Sequence, residues 1–170
     1  MKISLIAAVD ANNGIGYGND LLFKLSKDMK HFVKMTKGHI VLMGRKTFES
    51  MGSKSLPNRT NIVISTTMQP GFDSELDVFV YPNVHMAKDA LHASFHKDEE
   101  AFVIGGAAIY QEMLDYASVI YLTRIQATKK ADTFFPNVGS LVEWEMVNES
   151  EVETEIGIDF TFCRYERKDL

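Results

Sequence analysis

One cysteine in 170 residues, Cys163, excludes an internal disulfide and suits a reducing compartment. Prolines number four, and no Pro/Ser-rich linker, low-complexity tract or internal repeat divides the chain, so one domain over 1–170 is expected. No apolar run is long. Ile3–Val9, directly after Met1 and Lys2, is too short to span a bilayer, and Asp10 and Asn12 close it where a leader would carry small residues. Basic excess is missing too. Lys and Arg total 18 against 23 Asp and Glu, a net charge of −5, and no basic stripe offers itself to nucleic acid. What remains is 45% hydrophobic, enough for a real core. These absences point to partners that are small molecules rather than membranes or nucleic acids; a cytoplasmic location is expected, and a monomer is expected without any of these absences deciding it.

Strand-like and helix-like segments alternate. Ile3–Val9 reads as a buried strand, followed by a Gly/Asn-rich loop over Asp10–Asp20. A helix over Ser26–Thr36, a strand over His39–Gly44 and a short helix over Arg45–Met51 come next. Strands at Asn61–Ser65 and Val78–Tyr81 precede a helix at Val84–Phe95. Then come a strand at Ala101–Gly105, a helix at Ala107–Tyr116 and a strand at Val119–Ile125. The last third is strand only, Trp144–Glu151 and Phe160–Arg167, with Ile156-Gly157 near their connection. Alternation followed by β alone predicts a mixed α/β fold. Its mostly parallel central sheet has about eight strands, with about four helices on its two faces and an antiparallel C-terminal edge.

The helix over Ser26–Thr36, with Ser26 as its expected N-cap, carries the sharpest chemical signal. At 100° per residue Lys27, Lys30, His31 and Lys34 share one side, and Leu25, Met29, Phe32 and Met35 the other. Asp28 falls with the apolar set. A carboxylate there either complements the helix N-terminus or sits at the bottom of an apolar pocket awaiting a donor-rich ligand. Helix geometry alone leaves both open.

Three strand ends suit phosphates. Gly105-Gly106-Ala107 lies between a strand and a helix, where backbone N–H groups can approach an anion. Gly44-Arg45-Lys46-Thr47 combines a glycine, two cations and a hydroxyl, and Ser65-Thr66-Thr67 closes a third strand. No G-x-G-x-x-G fingerprint or ribose-binding acid is present, which disfavours an ordinary Rossmann dehydrogenase. Two cations at one strand end favour a 2′-phosphate, hence NADP over NAD.

In order and spacing, the chain resembles dihydrofolate reductase over nearly its whole length. The matching pieces include Gly14-Ile15-Gly16, Leu25-x-x-Asp28-x-x-x-Phe32, Val41 through Ser50, Leu56 through Asn61, Val103-Ile104-Gly105-Gly106, Tyr121-Leu122-Thr123 and Asp132 through Pro136. The resemblance implies NADPH as cofactor and hydride transfer to C6 of 7,8-dihydrofolate with protonation of N5. It assigns Asp28 to the pterin 2-amino group and N3, with Thr123 in support. Ile6, Phe32, Met51 and Ile104 would line the pterin and aminobenzoyl pocket, and Arg59 would clamp the glutamate carboxylate. Ala8, Ile15 and Gly16 would place the nicotinamide. Arg45, Lys46, Thr47, Ser65 and Thr66 would hold the adenosine phosphates. Gly105, Gly106, Ala107 and Tyr110 would complete the cofactor wall, with Gly105-Gly106 joined by a cis bond.

Leu22-Phe23-Lys24-Leu25-Ser26 stands where relatives commonly carry Pro-Trp-x-Leu-Pro, and loss of both prolines should loosen that loop. Ala108 replaces a frequent cofactor-binding arginine, which should soften the preference for NADPH. The altered loop keeps alive a folate- or nucleotide-binding module with little turnover. Asp28, Phe32 and Arg59 speak against a pyrimidine reductase. His85, His92 and His96 fall on a solvated helix face and no metal site is expected. Cys163 reads as a packed strand residue, and Trp144 as packing the sheet edge. Glu149, Glu151, Glu153 and Glu155 read as a solvated hairpin.

Overall fold

Buried apolar runs broken by glycine and asparagine turns fold, in the computed structural model, into thirteen strands and four α-helices over the described residues, 1–168. The first half holds β1 (Lys2–Val9), β2 (Gly14–Tyr17), β3 (Asp20–Leu21), α1 (Ser26–Thr36), β4 (Ile40–Gly44), α2 (Arg45–Ser50), β5 (Thr60–Ile64), β6 (Gly71–Asp73) and β7 (Val78–Tyr81). The second holds α3 (Val84–Ser94), β8 (Glu100–Gly105), α4 (Ala107–Met113), β9 (Val119–Ile125), β10 (Thr133–Phe134), β11 (Trp144–Glu149), β12 (Glu153–Glu155) and β13 (Ile158–Arg167).

Ten strands make one sheet in the order β11-β13-β9-β1-β8-β4-β5-β7-β6, with β12 paired to β13. From β9 to β7 every pairing is parallel. At the ends β6, β11, β12 and β13 pair antiparallel. The mixed, mostly parallel sheet expected from the alternation is present, and the short β6 and β12 add to its eight long strands. Alternate side chains of the central strands serve two cores. Leu5, Leu42, Ile62, Val103 and Ile120 pack under α3 and α4, while Ile6, Val41, Met43, Val63 and Phe102 face α2 and the Phe32–Met35 stretch of α1. Both faces are buried, which is why these strands read as unbroken apolar runs.

Several boundaries differ from the sequence reading. Asp10–Asp20 is not an open loop: β2 and β3 lie in it and join β10 in a three-stranded sheet, order β10-β2-β3. Their glycines carry no strand propensity, and the pairing that orders them is made with residues far along the chain. The helix expected over Ala107–Tyr116 stops at Met113, and Leu114–Tyr116 tightens into a 3-10 turn. The hairpin strand expected over Trp144–Glu151 ends at Glu149, where β12 takes over after a break. Ile156 and Gly157 do form the β12–β13 turn, both with positive φ, 53° and 71°. Trp144 is buried with the Arg167 guanidinium 4.7 Å over its ring, and Cys163 is buried within β13. Among the described residues no helix is long and apolar enough to cross a membrane.

Candidate active site

The C-terminal ends of β1, β4, β8 and β9 converge on a cleft of about 670 Å³. One wall is α1. Asp28 and Phe32 line the cleft from it, with Ile6 and Thr123 opposite on β1 and β9, and Met51 and Ile104 nearby. Thr123 Oγ1 donates to Asp28 Oδ1 at 2.6 Å, the one hydrogen bond the Asp28 carboxylate makes among the described residues. Burial pushes the Asp28 carboxyl above its ordinary range. The Thr123 bond pulls it back, and the charge of Glu155 pushes it up again. Asp28 therefore stands in the apolar cleft with acceptor capacity unspent, as the pocket alternative required.

The second wall carries groups that could hold a long anionic ligand. Arg45, Lys46 and Thr47 open α2, and Gly105, Gly106 and Ala107 open α4, all lining the same cleft. Neither helix has a side-chain cap, so its first N–H groups remain on offer. Gly105 has a φ of +128° and is joined to Gly106 by a cis peptide bond. A Cβ on Gly105 would lie 3.3 Å from Thr47 Oγ1, and one on Gly106 3.4 Å from it, so side chains there would fill the cradle. Arg45 Nη1 is ion-paired to Glu49 Oε1 at 2.6 Å. Tyr110 also lines the cleft, but its buried hydroxyl donates to the Ile6 carbonyl at 2.7 Å. Burial, and then the charge of Asp28, hold that phenol above its ordinary range. It braces the wall.

The roof is the small sheet. Ala8, Ile15 and Gly16 line the cleft as the resemblance implies, joined by Asn19, Asp20, Leu21 and Thr133. A Cβ on Gly16 would come within 2.8 Å of Thr133 Oγ1. Gly18 N–H donates to Asp132 Oδ2 at 2.9 Å, and Asn19 Nδ2 reaches across to the Lys46 carbonyl at 3.1 Å. Asn19 carried no motif, and Thr133, though part of the Asp132–Pro136 match, was given no role there; the pairing of β10 with β2 brings it here.

Three expected residues do not line the cleft. Arg59 lies beside it, its guanidinium 5.9 Å from the Phe32 ring centre, donating to Thr36 Oγ1 at 2.9 Å and to the Pro57 carbonyl at 2.8 Å. Ser65 Oγ accepts from the N–H groups of Thr67 and Met68 at 3.1 and 3.0 Å, so the hydroxyl is spent on its own turn. Thr66 is exposed on that turn.

Two further expectations are corrected on α1. Ser26 is not the N-cap. Leu25 is, with no side-chain cap, and the free N–H groups of Ser26 and Lys27 donate to Glu155 at 2.6 and 2.9 Å. Glu155 is thus more than one charge of a solvated hairpin. His31 does not simply face water with the lysines. Its ring stacks on Phe162 with centroids 4.0 Å apart, and burial lowers its basicity.

The loop before α1 is also held more firmly than the missing prolines suggested. Leu22, Phe23 and Leu25 are buried against Ile125 and Phe160. Lys129 Nζ donates to the Leu22 carbonyl at 2.8 Å and lies 4.4 Å over the Phe23 ring. Its backbone N–H reaches Asp10 Oδ2 at 3.2 Å, while Asp10 Oδ1 accepts from Asn12 and Gly14.

A family model described as "Dihydrofolate reductase" matches residues 2–167. The dihydrofolate reductase of Bacillus subtilis (strain 168) is 39% identical over 169 residues, covering 98% of this chain and 95% of that protein. That of Staphylococcus aureus (strain MW2) is 34% identical over 170 residues, 99% of each. A bifunctional dihydrofolate reductase-thymidylate synthase of Paramecium tetraurelia is 40% identical over 161 residues, where 94% of this chain spans 33% of that longer protein. Among solved structures, a dihydrofolate reductase from Enterococcus faecalis complexed with NADP(H) and RAB-propyl matches with a TM-score of 0.86 at 29% identity. It covers 99% of this chain and 97% of its own.

Proposed function

The chain belongs to the dihydrofolate reductase family and reduces 7,8-dihydrofolate to tetrahydrofolate with NADPH, and we propose that the cleft between α1, the glycine cradle and the small sheet performs this reaction. The observation that carries the assignment of residues is Asp28, half-buried, its carboxylate bonded among the described residues to Thr123 alone and open to an apolar cleft.

The donor set fits the cofactor. Uncapped N–H groups at two helix starts, with Arg45, Lys46 and Thr47 beside them, suit a diphosphate and a further phosphate. Ala8, Ile15 and Gly16 suit the nicotinamide end, and Gly105, Gly106, Ala107 and Tyr110 the wall between. NADPH supplies the hydride. Asp28 accepts from the pterin 2-amino group and N3, and Thr123 fixes the orientation of its carboxylate. Ile6, Phe32, Met51 and Ile104 exclude water from the ring. Arg59, already braced by Thr36 and Pro57 beside Phe32, receives the glutamate carboxylate where the substrate leaves the cleft. Ser65 and Thr66 contribute through the turn they shape at the end of β5, with Thr66 the freer hydroxyl. Asp28 polarises the pterin from the end opposite N5, so a water delivers the N5 proton. The site is complete within one chain, which supports a monomer of one domain over 1–170, and the unpaired Cys163 suits the cytoplasm.

The test is NADPH oxidation followed by the absorbance of the reduced nicotinamide, with dihydrofolate present and absent. Substrate-dependent oxidation is expected. A folded sample that binds both ligands without oxidising NADPH would instead be a binding module.

A further inference from the structure

We propose that Glu155 is a positioning residue for Asp28: from the β12–β13 hairpin it caps the first turn of α1 and holds that turn, with Asp28 on it, against Thr123. The proposal rests on the assignment of Asp28 to the substrate.

Helix α1 begins without a cap of its own. Leu25 occupies the N-cap position and has no side-chain oxygen. Ser26, one residue later, cannot close the ring that an N-cap hydroxyl closes. Glu155 supplies the missing acceptor from 129 residues away. Its Oε2 accepts from the Ser26 N–H at 2.6 Å, and its Oε1 accepts from the Lys27 N–H at 2.9 Å and from Ser26 Oγ at 3.0 Å. The same hairpin grips the turn a second time. Lys27 Nζ is 3.1 Å from Glu153 Oε2 and donates to the Thr154 carbonyl at 3.3 Å. Asp28 follows directly. Its turn is held from the cleft side by Thr123 and from the outer side by Glu155, so the carboxylate has little freedom to swing. A proline at position 26 would have had no N–H to give to Glu155. The serine found there adds an N–H and a hydroxyl to the donor that Lys27 gives Glu155.

The same contact bears on the proton affinity of Asp28. The free N–H groups of a helix start favour a carboxylate anion, and Glu155 both consumes them and adds a negative charge. Burial is the main reason that Asp28 holds its proton above its ordinary range, and the charge of Glu155 adds to it in the same direction. The other charged or titratable groups around Asp28 are Lys27, already paired with Glu153, His31 one turn on, stacked on Phe162, and the buried Tyr110 of α4. From β1 and β9 the cleft is lined by Ile6, Ala7, Ala8 and Thr123, none of them a charged side chain.

The experiment compares wild type, Glu155→Ala and Glu155→Gln as NADPH-bound enzymes. It measures KM for dihydrofolate, KM for NADPH, kcat, melting temperature and the Asp28 carboxyl titration by carbon-13 NMR. Fraying of an uncapped first turn lowers the binding-competent fraction, so Glu155→Ala should raise KM for dihydrofolate about three- to tenfold. KM for NADPH should stay near its wild-type value. Glu155→Gln keeps one acceptor and should recover part of that loss. Asp28 should titrate at lower pH in both variants, because the charge is gone from both. Equal losses toward both ligands, or an unmoved Asp28 titration in both variants, overturn the proposal. Should Glu155→Ala not fold, the glutamine variant decides through the same two readings. An Asp28→Asn enzyme separates the two levels. If it keeps its turnover, the assignment of Asp28 fails. If it loses turnover while both Glu155 variants match wild type, only the role of Glu155 fails.

Discussion

Replacing Asp28 by asparagine separates a ligand-binding carboxylate from one that merely serves its helix. The substitution keeps shape and one acceptor oxygen but removes the charge. Thr123 Oγ1 already donates to Asp28 Oδ1 at 2.6 Å, so in the variant the remaining carbonyl is shared between Thr123 and the ligand. At least one hydrogen bond to a charged acceptor is lost, worth about 1.5–3 kcal/mol, or roughly 10- to 150-fold in pterin binding. Turnover should fall further, since the polarisation that favours protonation of N5 goes with the anion. A substrate already protonated at N5 escapes this, so the residual rate should climb as pH falls. Stability moves the other way. Asp28 is raised above its ordinary 3.8 in the fold, chiefly by burial. Above 3.8 the native state therefore binds more protons than the unfolded chain, and wild-type stability declines as pH rises through the window up to the folded pKa. The variant carries no such group. Its melting temperature should match wild type in acid, overtake it across that window and keep a constant lead beyond. Stopped-flow hydride transfer and melts at several pH values read both effects. Near-normal turnover with a lowered melting temperature at neutral pH would refute the assignment.

Arg45→Ala should raise KM for NADPH about tenfold while leaving NADH nearly unchanged, because the guanidinium lines the phosphate wall braced by Glu49. Equal losses for both cofactors in steady-state kinetics would remove Arg45 from the 2′-phosphate. Lys129→Met keeps the aliphatic stem but loses the bond to the Leu22 carbonyl and the charge over Phe23. A drop of about 2–6 °C in melting temperature and faster proteolysis between Leu21 and Leu25 are expected. An unchanged cleavage rate would mean that burial of Leu22 and Phe23 alone secures that loop.

Local chemistry made much of this protein legible before folding. Unbroken apolar runs marked the parallel strands because both faces of the sheet are buried. The 3.6-residue period put Asp28 with Phe32 and Met35, and glycines at strand ends marked one wall of the cleft. These signals lie within a few residues of one another, so periodicity and backbone freedom report them directly. Other features had no local signal. β2, β3 and β10 are glycine-rich or two residues long, and they are strands only because Gly14 and Gly16 meet Phe134 and Thr133 across the fold. Ser65 looked like a phosphate ligand until its turn claimed the hydroxyl, and Arg59 was found braced outside the cleft. The surroundings of Asp28 were likewise set in three dimensions, where Thr123 arrives from β9 and Glu155 accepts from the first N–H groups of α1. A hydrogen bond between residues 129 positions apart leaves no trace in either neighbourhood. Sequence periodicity can say which way a side chain points along its own helix or strand, but not which distant group will satisfy it. That is set by how the sheet brings its edges together.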